Sequence, residues 1–157
     1  MFDDLIEANR QYAQTFHDPG VRGGAARGLA VVTCIDSRID PLRMLGLVPG
    51  DAKIIRNAGA RVTDDALRSL ILAVNLLGVN RVCVVQHTDC AMASTEDEIR
   101  SRVGPGAENV EFLAMPDQRA ALRADVQRIR DCELIPSSTE VGGFVIDVRT
   151  GELAASE

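Results

Sequence analysis

The sequence predicts a single α/β domain with a mainly parallel central sheet flanked by helices, and three observations carry that prediction. Short apolar runs recur along the chain (GLAVVT, KIIRNAG, VNRVCVVQ, GGFVIDV). Segments with apolar residues at helical spacing separate them. Apolar strands alternating with helices imply parallel pairing with helices on both faces of the sheet. A chain of 157 residues, 46% hydrophobic and 25% charged, suits one such domain. We take residues 1–157 as one unit, with no internal repeat, low-complexity tract or linker.

Phe2, Leu5, Ile6, Tyr12, Ala13 and Phe16 recur at helical spacing around Asn9, which predicts an N-terminal helix with one apolar stripe. The Gly-rich segment His17 to Gly28 reads as a loop and Gly28 to Thr33 as the first strand. Asp40 before Pro41 caps a short helix, PLRMLG. Lys53 to Gly59 is the second strand. Thr63 with Asp64 and Asp65 opens a helix that carries Leu67, Leu70, Ile71, Val74 and Leu77 and stops at Gly78. The third strand is VNRVCVVQ. Thr95 and Glu98 form a capping box for a helix through Val103, and Pro116 is expected to open another with Leu122, Val126 and Ile129 on its apolar face. Gly142 to Val148 is the last long strand, and the Thr150-Gly151 turn begins a short hairpin.

Composition excludes several function classes. A net charge of -6 opposes attraction to phosphate backbones, and one Tyr, four Phe and no Trp leave few stacking platforms, so no nucleic-acid partner is expected. No run approaches the roughly 18 apolar residues that span a bilayer, and no membrane partner is expected. The start MFDDLIEANR lacks the basic and apolar regions of a secretory signal, so a cytoplasmic location is expected. In a reducing compartment the four cysteines are better read as ligands or core residues than as disulfides. Cys83 and Cys132 are read as thiols without a chemical role.

In open parallel sheets, ligands collect outside the carboxyl ends of the strands. Cys34 follows the first strand directly, and His87 and Cys90 follow the third, so two thiols and an imidazole arrive at one sheet edge. Zn²⁺ fits this donor set, and three protein ligands leave a fourth tetrahedral position open, as in catalytic rather than structural sites. The HxxC spacing alone also describes a capped loop in which Cys90 is a small hydrophobe. Asp36 and Arg38, two apart in the segment CIDSR, share a side of an extended chain and can pair bidentately. Beside a metal, that pair would aim the carboxylate at bound water; elsewhere it would be an ordinary surface ion pair.

The segments CIDSR (Cys34 to Arg38), IIRNAG (Ile54 to Gly59) and HTDC (His87 to Cys90) resemble the β-class carbonic anhydrases, in particular their small minimal-domain members. Order and spacing match the CxDxR and HxxC motifs of that family, and the resemblance runs from the first strand through GGFVIDVRTGEL. It implies zinc held by Cys34, His87 and Cys90, a catalytic Asp36–Arg38 dyad, and reversible hydration of carbon dioxide to bicarbonate and a proton. The implied route is attack by zinc-bound hydroxide, since zinc lowers the pKa of its water to about 7. It also implies a homodimer or tetramer in which residues 1–27, the N-terminal helix and loop, pack across the subunit boundary. In some members the dyad aspartate becomes a fourth zinc ligand, and Asp36 has the same position here.

Two features depart from the family pattern. Ala91 stands where a glycine usually follows the second cysteine, and the loop before the first strand offers no glutamine of the kind larger members use for substrate. Gln86 is not an obvious substitute. An apolar pocket for carbon dioxide is expected to draw on Ile35 and Val62, together with the partner subunit. His17 is a proton-shuttle candidate by its ordinary pKa, although a plain loop histidine is the simpler reading. The RNAG turn, Arg56 to Gly59, is either a plain connection or a support of the site. Hydrolysis of carbonyl sulfide or carbon disulfide at the same site is the alternative enzyme reading, and a zinc- or bicarbonate-binding protein without turnover is the alternative from another class.

Overall fold

A computed structural model describes residues 1–18 and 20–156. Five strands form one sheet: β1 (Leu29–Cys34), β2 (Ala52–Asn57), β3 (Arg81–His87), β4 (Glu140–Ile146) and β5 (Leu153–Ala155). Their order is β2-β1-β3-β4-β5; the first four are parallel and β5 runs antiparallel to β4. All six residues of β1 are buried, as its unbroken apolar run requires at the centre of a covered sheet. The chain leaves β1 toward β2 on one side and returns to β3 on the other, so β1 and β3 are neighbours whose following loops diverge. That divergence opens a crevice at their carboxyl ends.

The two faces of the sheet are packed differently. Helices α3 (Asp64–Leu76) and α5 (Gln118–Arg130) cover one face, where Leu70, Ala73, Leu122, Val126 and Ile129 meet Ala30, Val32, Val82 and Val84. The short α2 (Pro41–Met44), α4 (Glu96–Val103) and the segment between α4 and α5 cover the other, where Ile39, Leu47, Met92, Ile99 and Met115 meet Val31, Val85 and Ile146. Cys34 and Cys90 belong to this second cluster.

The expected caps hold. Asp40 accepts from the Arg43 N–H and Thr63 from the Ala66 N–H, and the Thr95/Glu98 box is closed in both directions. Several boundaries move. β2 ends at Asn57 and gives way to a 3₁₀ turn, Ala58–Ala60, in which Gly59 has φ +76°. Pro116 does not open α5. Asp117 caps that helix by accepting from the Ala120 N–H, which a proline side chain cannot do. β4 begins at Glu140, two residues before its glycines, because Glu140 pairs with Arg81 of β3.

Helix α1 (Asp3–Thr15) forms as expected, and among the described residues none of it is buried. Phe2, Leu5, Ile6, Tyr12 and Phe16 are all more than half exposed. A stripe of that kind on a folded domain marks an interaction surface. Among the described residues no helix is long and apolar enough to cross a membrane.

Candidate metal centre

Cys34 is the last residue of β1, His87 the last of β3, and Cys90 follows the turn after β3. Their ligand atoms all lie within 4.8 Å of one another, and the three residues are 4%, 1% and 8% exposed. The spacing HxxC works because the chain reverses between the two ligands: Asp89 takes φ +56° and returns Cys90 toward His87. Ala91 is not among the described residues with positive φ, so a side chain there costs no backbone strain.

The His87 ring is set for a metal. Its Nδ1–H donates to the Thr88 carbonyl at 2.8 Å, which leaves Nε2 as the bare nitrogen. Nε2 is buried and has no hydrogen-bond partner. An orphaned imidazole nitrogen facing two sulfurs is costly in protein alone and satisfied by a cation. The Gly59 N–H donates to the Cys34 sulfur at 3.4 Å. The hydrogen bond from the Cys90 thiol pulls the Cys34 pKa down, and holding that proton pushes the Cys90 pKa up. The pair gives up one proton readily and the second reluctantly, and a divalent cation favours loss of both. The negative charge that Cys34 carries beside the ring raises the His87 pKa. Two thiolates and one imidazole in this geometry fit zinc.

The expected Asp36–Arg38 pair forms. Arg38 donates from Nε to Asp36 Oδ1 at 3.0 Å and from Nη2 to Oδ2 at 2.7 Å, and its own backbone N–H meets Oδ1 at 2.9 Å. These contacts hold the Asp36 pKa well below the usual carboxylate range. Asp36 Oδ2 lies 3.8 Å from His87 Nε2, so the carboxylate borders the ligand cluster.

Supports of the site come from further away. Arg56 donates from Nε to the Cys34 carbonyl and from Nη2 to the Asp36 carbonyl, both at 2.8 Å, and so clamps the backbone that carries both residues. The RNAG turn is therefore a support through Arg56 and Gly59. Sequence reasoning gave no role to Asp89, which binds Arg38, or to Gln118, whose amide donates to the His87 carbonyl at 2.8 Å. Asp89 had a signal, its place between two ligands; Gln118 had none. Val62 is not a pocket wall. It is buried in the cluster beneath α3 and α5, because the turn after Gly59 directs it away from the ligands. Ile35 is exposed beside Cys34, and His17 is exposed beyond α1. Gln86 is buried with its amide against the Met115 sulfur. Cys83 and Cys132 are free and partly buried.

Fold and site together define an α/β domain with two cysteines and a histidine, a set suited to a metal, at the switch point of a parallel sheet. The sequence model of the carbonic anhydrase family matches residues 29–111. β-Carbonic anhydrase 1 of Mycobacterium tuberculosis is 36% identical over 155 residues, covering 96% of this chain and 94% of that protein. A carbonic anhydrase structure from Streptococcus mutans superposes with a TM-score of 0.89 at 33% identity, covering 99% and 97% of the two chains. A carbon disulfide hydrolase of Acidianus is 31% identical over 157 residues, covering 81% of this chain and 76% of that protein. The chain belongs to the β-class carbonic anhydrase family.

Proposed function

We propose that the chain catalyses reversible hydration of carbon dioxide to bicarbonate and a proton, with zinc held by Cys34, His87 and Cys90. The observation that carries this reading is the buried, partnerless Nε2 of His87 facing two sulfurs beside a paired carboxylate. When bound, zinc supplies the Lewis acidity that makes water a nucleophile near neutral pH. Asp36, held by Arg38, presents a carboxylate that stays ionised at neutral pH and accepts a hydrogen bond from the attacking water, which orients its lone pair toward substrate. Arg56 and Gly59 keep the Cys34–Asp36 backbone and the Cys34 sulfur in register with that carboxylate. Ile35 offers an apolar wall for a substrate that needs little recognition.

The exposed stripe on α1 supports a homodimer, with tetramers as a further step, in which residues 1–27 cross to a partner. Four free cysteines suit a reducing, cytoplasmic compartment. Stopped-flow hydration of carbon dioxide by the zinc-loaded protein tests the activity. A rate at background would overturn it. The Acidianus relative gives one specific reason to keep a second reading, hydrolysis of carbon disulfide or carbonyl sulfide at the same centre. Release of sulfide, with no carbon dioxide hydration, would select it; zinc binding without either reaction would select a non-catalytic zinc or bicarbonate binder.

A further inference from the structure

We propose that Asp89 is a positioning residue that, through Arg38, keeps Asp36 turned to the arginine rather than to the metal. Arg38 sits between two carboxylates. Its Nη1 donates to Asp89 Oδ2 at 2.8 Å, and its Nη2, already shared with Asp36, donates to the Asp89 carbonyl at 3.1 Å. The left-handed turn at Asp89 puts its side chain and its carbonyl within reach of the same guanidinium. One side chain thus joins the loop after β1, which carries Asp36, to the loop after β3, which carries Cys90.

The second anchor changes the balance at Asp36. An arginine held by one carboxylate keeps several rotatable bonds and follows or leaves its partner at little cost. Fixed on Asp89, Arg38 presents its Nε and Nη2 edge in a constant place, and Asp36 loses two good hydrogen bonds if it turns away. Asp36 Oδ2 is already 3.8 Å from His87 Nε2, so the alternative position at the ligand cluster is a side-chain rotation away. Asp89 therefore sets the fraction of chains in which the fourth metal position is open.

The inference rests on the proposed role of the Asp36–Arg38 pair. Because φ at Asp89 is +56°, Asp89→Gly removes the carboxylate without strain, whereas alanine would add it. Asp89→Asn keeps a neutral acceptor and tolerates the same backbone. In the full chain loaded with zinc or cobalt, Asp89→Gly is expected to keep one metal per chain and to lower kcat about fivefold with KM unchanged, a loss of the size that exposed ion pairs supply. Asp89→Asn is expected to recover part of it. The visible spectrum of the cobalt form should shift toward a carboxylate-ligated centre, and a crystal structure of the zinc-loaded Gly variant should show Asp36 on the metal in a fraction of molecules. An unchanged spectrum with Arg38 and Asp36 still paired in that crystal would overturn the proposal, as would metal loss that Asp89→Asn does not restore. These two readouts decide Asp89's part even if the wild type turns over neither carbon dioxide nor carbon disulfide, the separate result that would sink the proposed function.

Discussion

Cys34, His87 and Cys90 are at most 8% exposed and are held mainly through backbone groups: the Gly59 N–H on a sulfur, the Thr88 carbonyl on the imidazole, Arg56 and Gln118 on the ligands' own carbonyls. A few ångströms away, Asp36, Arg38 and Asp89 are held largely by one another, with the Arg38 and Asp89 side chains 43% and 60% exposed. The first set is fixed by the fold and is shielded from solvent. The second is a chain of charge pairs in contact with water, where salt and side-chain entropy compete with each contact. On the proposed function, metal retention should follow the buried cluster and reactivity the exposed chain, so the two are expected to be separable.

The largest effect should come from the buried half. Cys34→Ser is expected to lose zinc to dialysis against a chelator and to reduce carbon dioxide hydration to background, a loss beyond the roughly 10–100-fold that an outer partner of a metal ligand contributes. Zinc content by atomic absorption checks it. On the exposed half, Asp36→Asn is expected to keep zinc at one per chain while kcat/KM falls by about 10²-fold or more, the low end for loss of a positioned proton acceptor. Zinc loss in that variant would break the separation.

Two substitutions, one remote from the crevice at Asp125 and one beside the Cys34 sulfur at Gly59, act on the buried half. Arg61 binds Asp125 of α5 at 2.7 Å and the Leu113 carbonyl at 2.7 Å, and it follows the turn that carries Gly59. Asp125→Ala leaves that guanidinium unpaired in a largely buried place and is expected to cost about 3 kcal/mol in urea unfolding, with zinc released at lower chelator concentration. Gly59→Ala adds a methyl 2.9 Å from the Met115 side-chain end at a φ of +76°. The expected cost is about 1–3 kcal/mol, read in the same assay.

The smallest expected effect is a null one. Arg38 lowers the Asp36 pKa below its ordinary value of 3.8, so the stability of this pair is present above that value and is lost only as pH falls through the lower, folded one. Between about pH 5 and 9 the Asp36 carboxyl resonance should not titrate. A midpoint within that range would mean the pair is not formed in solution.

The legible part of the molecule is the part governed by local rules. Short apolar runs marked the strands, Asp40, Thr63 and the Thr95–Glu98 box marked helix starts, and the ends of two runs brought Cys34 and His87 to one edge. What was not legible depends on register between distant segments. Arg38 and Asp89 meet because Val31 pairs with Cys83 and Thr33 with Val85, so the loops after β1 and β3 leave the sheet side by side. Gln118 reaches His87 only through the position of α5, and Val62 turns into the core because of a 3₁₀ turn that reads in sequence as the tail of a strand. Pro116, expected to open α5, falls outside it because the Asp117 side-chain oxygen takes the cap and the helix starts at Gln118.

X-ray absorption at the zinc edge of the purified, reduced protein tests the central claim most directly. Two sulfur neighbours at about 2.3 Å and one imidazole nitrogen at about 2.0 Å, with one further light atom, are expected. Protein that holds no zinc, or a centre with any number of sulfurs other than two, would contradict the joint ligation by Cys34, His87 and Cys90.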